Sequence, residues 1–213
     1  MDVRSMHFKA RAGAAAADRA LQGKLATHKL LFVEGRKRAV AEIDLEATRE
    51  ASKAIRDTCL ADLDLWLERF ETEATRRGGQ VLWARDGAEI CRLVTDIARR
   101  HGVKKAIKSK SMLSEEAGLN AALEAAGVQP VETDLGEYIL QINDNERPSH
   151  IIAPASHKNK EEVAELFARV HKRPRKTDIG EMTREAREML REHFLSADMG
   201  ISGGNFLVAE TGS

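Results

Sequence analysis

The sequence predicts an α/β protein, an open and mostly parallel sheet with helices on both faces, preceded by an α-helical N-terminal arm. Three observations carry this. Up to about residue 78 the apolar residues recur at three- and four-residue steps with charges between them, the period of an amphipathic helix. From residue 80 onward short β-prone runs alternate with amphipathic stretches, which is how βαβ units read. Glycines stand where the helices have to stop, at Gly78-Gly79, Gly102 and Gly127. The expected division is a helical arm over 1–78 and an α/β domain over 79–213.

Residues 11–34 favour helix, with Leu21, Leu25, His28 and Phe32 on one face, and Gly35 breaks it. Residues 43–77 form the longest helical pattern, through Ile55, Cys59, Leu63, Trp66, Leu67 and Phe70. QVLWA (80–84) is a strand candidate. Asp86 caps a helix over 88–100, with Ile90, Leu93, Val94 and Ile97 inward. VKKAIK (103–108) is the second strand. Ser114 is the expected N-cap of a helix running to about Ala126, and VQPVE (128–132) is the third strand, placed near an edge or a bulge by Pro130. TDLGEYILQI (133–142) is either a loop entering a short helix or an irregular strand. HIIA (150–153) reads as a short buried strand ended by Pro154. Helices follow over 158–171 and 183–194. Residues 196–210 read as two extended pieces around a Ser202-Gly203-Gly204 turn.

Composition narrows the function classes. A hydrophobic fraction of 42% supports a core, and with only 4% aromatics that core is mostly Leu, Val, Ile and Ala. Lys+Arg and Asp+Glu are equal at 34 each, so the balance gives no electrostatic footprint for nucleic acid or an anionic membrane. The two cysteines, Cys59 and Cys91, are far apart and form neither a disulfide framework nor a metal motif; they read as reduced thiols of a cytoplasmic protein. No apolar run reaches the roughly 18 residues of a membrane span. Basic residues and the alanine run 14–17 give the N-terminus a superficial likeness to a transit peptide, which Asp2 and Asp18 weaken. Because the chain stops just after the apolar run 206–209, it reads as truncated, with apolar surface expected near 206–208 and marginal stability or self-association as the consequence.

In an open parallel sheet, ligands lie at the carboxyl ends of the strands. That puts the 108–114 turn, residues 133–137 and residues 154–157 on one side. Lys108, Ser109, Lys110 and Ser111 are candidates for holding a carboxylate or phosphate, since a strand-to-helix turn gathers N–H groups, hydroxyls and positive charge. The alternative is solvated lysines and serines that merely close the turn. Glu115 and Glu116 serve the helix dipole or include an acid/base group. Glu132, Asp134 and Glu137 cluster around Gly136; Glu137 is a candidate general base, and a capped, solvated loop is the other reading. His157 is the better functional candidate of the pair His150 and His157, which have no metal-ligand spacing, so no metal site is expected. Ser202, Gly203 and Asn205 lie in a tight turn that lets backbone approach a ligand.

Four motifs in order, KSKSMLSEEAGLN (108–120), VETDLGEYILQI (131–142), RPSHIIAPASHK (147–158) and FLSADMGISGGNFLVAETGS (194–213), resemble the lactate utilization protein B family. QVLWARD (80–86) and IRDTCLADLDLWLERFE (55–71) fit it as well. The resemblance implies a LUD domain, with a fold related to the sugar-phosphate isomerase and CoA-transferase superfamily. It implies a cytoplasmic subunit of an L-lactate-oxidising iron–sulfur electron-transfer complex, acting with other lactate-utilization subunits on L-lactate or a related small anion. It further implies 4Fe–4S clusters in full-length members, which this chain cannot hold because its two cysteines lack the close spacing such clusters take. Glu210 resembles a loop position that carries chemistry in distant CoA-transferase relatives. The alternatives are a stand-alone isomerase- or CoA-transferase-like enzyme, an anion-binding module, and a scaffold that binds partners through its arm.

Overall fold

A computed structural model of the chain describes residues 5–28 and 32–213. Arg4, and the part of the 11–34 helix prediction that falls on residues 29–31, lie outside the described residues. In chain order a 3-10 turn (Ser5–His7) leads into helices α1 (Phe8–Ala17), α2 (Arg19–His28), α3 (Glu34–Ala41), α4 (Leu45–Ala61), α5 (Leu63–Arg76) and α6 (Gly87–Arg100). Strand β1 (Lys105–Lys108), helices α7 (Met112–Ala117) and α8 (Leu119–Ala125), strand β2 (Gln129–Glu132) and helix α9 (Leu135–Gln141) follow. Helices α10 (Lys160–His171) and α11 (Ile179–Ser196) and strand β3 (Met199–Ile201) complete the order. The chain divides into two compact units, Met1–Leu25 with Ala84–Gly203, and Ala26–Trp83 with Gly204–Ser213.

The second of these units is helical. Asp44 caps α4 by accepting from the Ala47 amide at 3.0 Å. The single helix expected over 43–77 is instead two, because Asp62 leaves helical geometry (φ −123°, ψ 36°) and its carbonyl accepts from Trp66 as the start of α5. Gly78, at φ +88°, ends α5 in the left-handed conformation that glycine adopts without strain. QVLWA (80–84) forms no strand and has no ladder partner among the described residues; Trp83 instead donates from Nε1 to Glu71 at 3.2 Å. The run 206–209, expected to be extended, turns back on itself, with the Val208 amide bonded to the Ser213 carbonyl and the Gly212 amide to the Val208 carbonyl. Gly212 lies so close to the α5 backbone at Ala74 that no side chain fits there.

The first unit holds the sheet. Its order is β2-β1-β3 with both pairs parallel, so β1 is central and β2 is an edge, the place Pro130 requires. Gln141 of α9 occupies that edge: its amide donates to the Pro130 carbonyl and accepts from the Glu132 amide, both at 3.0 Å. Successive residues of β1 face opposite sides. Ala106 joins a cluster with Ala98, Val103, Leu119, Leu123 and Val128, whereas Ile107 packs against one built from Val131, Tyr138, Ile139, Leu166, Phe167 and Leu190. Helices α6 and α8 therefore cover one face and α9, α10 and α11 the other. The fold is the expected α/β class with an open parallel sheet.

Several boundaries differ from expectation, each for a local reason. The helix expected over 114–126 is split by Gly118 at φ +75°, and its cap is Ser111, whose Oγ accepts from the Ser114 amide at 3.4 Å. Residues 133–142 resolve into helix α9, capped by Asp134, which accepts from the Gly136 and Glu137 amides. HIIA (150–153) is no strand. His150 Nδ1 accepts from the Ile152 and Ala153 amides at 3.1 and 3.2 Å, and such local side-chain bonds compete with a ladder. Ile151 and Ile152 are accordingly 65% and 70% exposed.

Candidate functional site

The parallel register sets Lys108 opposite Glu132 at the carboxyl ends of β1 and β2. Lys108 is 1% exposed, and its ammonium meets Glu132 Oε1 at 2.8 Å and Ser114 Oγ at 3.2 Å. Asn120 of α8 donates to the same Glu132 oxygen at 2.7 Å. Thr133 is held to the Lys108 carbonyl through its amide and its hydroxyl, and the Ser109 amide bonds the Ile201 carbonyl, so the three strand ends are tied together beneath the turn.

Two residues on, Lys110 reaches across to α9 and pairs with Glu137 Oε1 at 3.0 Å. Lys110, Met112, Glu115 and Glu137 line a cavity of about 180 Å³ that Pro148–Ile151 and Pro154 wall on the other side. Glu137 is only 6% exposed, and its second oxygen, Oε2, meets no fixed donor. Gly136 lets the wall close: a Cβ there would lie 2.8 Å from Pro154 Cγ.

The carboxyls differ in electrostatics. Burial, then the neighbouring Glu137, pushes Glu115 up to about 7, against the opposing pull of Lys108 and Lys110. Burial also raises Glu132, outweighing the bonds from Lys108 and Asn120. For Glu137, burial acts upward, but hydrogen bonds with Glu115, Lys110 and Glu132 outweigh it and hold the group below the usual carboxylate range. One acid biased toward its protonated form thus stands beside one biased toward its ionised form, the arrangement that divides acid from base roles.

Of the residues singled out in the sequence, Lys110 and Glu137 line the cavity. Lys108 lies beneath it, paired with Glu132, and Ser111 caps α7. A Cβ at Gly203, next to the exposed Ser202, would lie at ordinary contact distance from the Lys110 carbonyl and from Ser111. His157 does not line the cavity; its Nδ1 bonds Ser149 Oγ at 2.8 Å and its Nε2 bonds Glu146 Oε1 at 2.9 Å, behind the 148–154 wall. Asn205 and Glu210 belong to the other unit. Glu115 and His150, which the sequence reading set behind Glu137 and His157, also line the cavity. Glu115 shares a motif with the turn, but nothing in its spacing distinguishes a cavity acid from one placed to suit the helix dipole.

The LUD domain matches residues 67–213, a stretch that includes every residue lining the cavity. The chain is 38% identical over 214 residues to Lactate utilization protein B of Bacillus thuringiensis, covering 100% of this chain and 45% of that protein. The chain belongs to the lactate utilization protein B family. Lactate utilization protein B of Geobacillus kaustophilus is 46% identical over 168 residues, 79% of this chain and 35% of that protein. The LUD chain thus spans less than half the length of these relatives. No solved structure matches it.

The cluster chemistry that the family resemblance implies takes four thiolates. Cys59 is exposed on α4, and Cys91 is half-buried on α6, its thiol donating to the Ala117 carbonyl at 3.2 Å. Two cysteines, one in each unit, do not fit such a cluster. Among the described residues no group of three or more His, Cys, Asp or Glu is disposed to hold a metal ion, and no helix is long and apolar enough to cross a membrane.

Proposed function

We propose that this LUD domain serves in lactate utilization as a subunit of a cytoplasmic L-lactate-oxidising complex, and that its cavity receives L-lactate or a close relative. The observation that carries the reading is the 38% identity to Lactate utilization protein B along the whole chain. The cavity chemistry agrees with it. Lys110 offers charge-assisted donors to a carboxylate, and the ionised Glu137 offers an acceptor to a 2-hydroxyl and a base for its proton. His157 acts at one remove, holding Ser149 in the cavity wall. Oxidation of lactate to pyruvate releases two electrons and two protons. The electrons leave for an acceptor outside this chain, which the family resemblance makes an iron–sulfur protein.

Deleting the gene in its source organism and restoring it with Lys110→Ala and Glu137→Gln variants tests this. The deletion strain is expected to lose growth on L-lactate while growing normally on glucose, with the wild-type gene restoring growth and the two variants failing to. Undiminished growth of the deletion strain on L-lactate overturns the reading.

A further inference from the structure

The cluster beneath and around the cavity, in which Lys108, Glu132 and Glu137 are buried and Lys110 and Glu115 half-buried, has an odd number of charges. Lys108 and Glu132 come from β1 and β2, Lys110 from the turn, Glu115 from α7 and Glu137 from α9. Glu115 and Glu137 line the same cavity, and Glu115 and Glu132 both bear on the ionisation of Glu137. Three carboxyls and two ammonium groups share one partly buried place, and full ionisation would leave an uncompensated negative charge there. Like charges this close resist ionising together, so the last of the three carboxyls gives up its proton only near neutral pH. Glu132 Oε2 and Glu137 Oε2 are buried and have no fixed donor, so Glu137 keeps an acceptor open beside Glu115 in the cavity. The remaining titratable group facing the cavity is His150, whose Nδ1 is occupied by two backbone amides. Behind the wall Glu146 pairs with both His157 and Lys158.

We propose that the cavity binds a small carboxylate together with one proton, held between Glu115 and Glu137. An entering anion at Lys110 adds a negative charge beside these carboxyls, and the ionised cluster rejects it by repulsion. The protonated cluster is neutral overall, and its carboxylic acid donates a hydrogen bond. When the site starts ionised, one proton moves from solvent to the cluster for each carboxylate that binds; no covalent bond changes. Glu115 is a proton-holding, positioning residue, and it decides which ionic form of ligand is accepted. The sign follows from linkage: the competent form is the protonated one, so affinity is highest below the transition of Glu115, about 7, and falls as pH rises through it.

This inference rests on the reading of the cavity as a lactate-type site, and isothermal titration of the 213-residue chain with L-lactate separates the two. Affinity is expected to fall about tenfold between pH 6 and pH 8, with proton uptake seen as a heat that depends on the ionisation enthalpy of the buffer. Glu115→Gln, neutral at every pH, is expected to bind at pH 8 as the wild type does at pH 6, without proton uptake; its unfolding curve checks that the variant is folded. L-lactate binding that is independent of pH and indifferent to Glu115→Gln overturns the proton coupling and leaves the site standing. No L-lactate binding at any pH overturns both. Binding of methylammonium that strengthens as pH rises overturns the proposal in favour of a cation site.

Discussion

The turn at 108–111 contains two lysines that a sequence cannot tell apart, and the structure gives them unlike tasks. The pleat of β1 turns Lys108 inward, where register fixes it on Glu132; Lys110, past the strand end, reaches the cavity. Residue type and the turn's position were legible, and the structure sets Lys110 of that turn in the cavity lining. The pairing was not, because it depends on which residue of β2 stands opposite, and a slip of one residue would reverse it. Breaking the buried pair has a defined consequence. Lys108→Met leaves Glu132 without its cation, a change that typically costs about 3–5 kcal/mol. Removing the ammonium raises Glu132 further, so the penalty is greatest at high pH and shrinks as acid protonates the carboxyl. Chemical unfolding is expected to show a loss of about 3 kcal/mol at pH 7.5 and clearly less at pH 5, and Glu132→Leu added to Lys108→Met should recover much of it. Equal losses at both pH values would mean that Glu132 is not the group left exposed to the change.

At the level of elements, helices and parallel strands could be read because their signals are local: a cap at Asp86, glycine stops, and an edge proline. The two failed strands, 80–84 and 150–153, share a cause. A β-prone run becomes a strand only beside a partner, and sequence gives composition without partner. The second failure matters for the site, since the segment read as a buried strand is the cavity wall. Its seat on α9 depends on Gly136. An alanine there is acceptable to the helix backbone, but its Cβ would lie 2.8 Å from Pro154 Cγ and 3.0 Å from Cδ, atoms of a ring that cannot rotate away. Gly136→Ala is therefore expected to push the wall outward with stability changed by no more than about 1 kcal/mol. Affinity for L-lactate should drop by about tenfold, which is 1.4 kcal/mol. Unchanged affinity would separate this wall from the ligand site.

Across the whole molecule, burial is distributed unevenly. Both apolar clusters, and the sheet between them, lie in the unit made of Met1–Leu25 and Ala84–Gly203. In the other unit α4 has no buried residue and α5 has only Ala74, while Ile55, Leu60, Leu63 and Leu65 are exposed. Amphipathic spacing made 43–77 the longest and clearest helical signal in the sequence, yet periodicity reports which residues share a face and not whether anything covers that face. Helices of this length are marginal without tertiary packing, so regular pattern and high stability part company here. Opening of α4 should therefore require little free energy, about 1–3 kcal/mol, against the global value for β1, α8 and α9, about 5–15 kcal/mol. Amide hydrogen exchange followed by mass spectrometry is expected to label residues 45–61 within the earliest time points and residues 105–108, 119–125 and 135–141 last. The order should persist with L-lactate present, while protection rises at α7, α9 and residues 148–154 around the cavity. Exchange at 45–61 as slow as that of the sheet would show that this apolar helix face is covered in solution, and the uneven distribution of stability argued from its burial would be wrong.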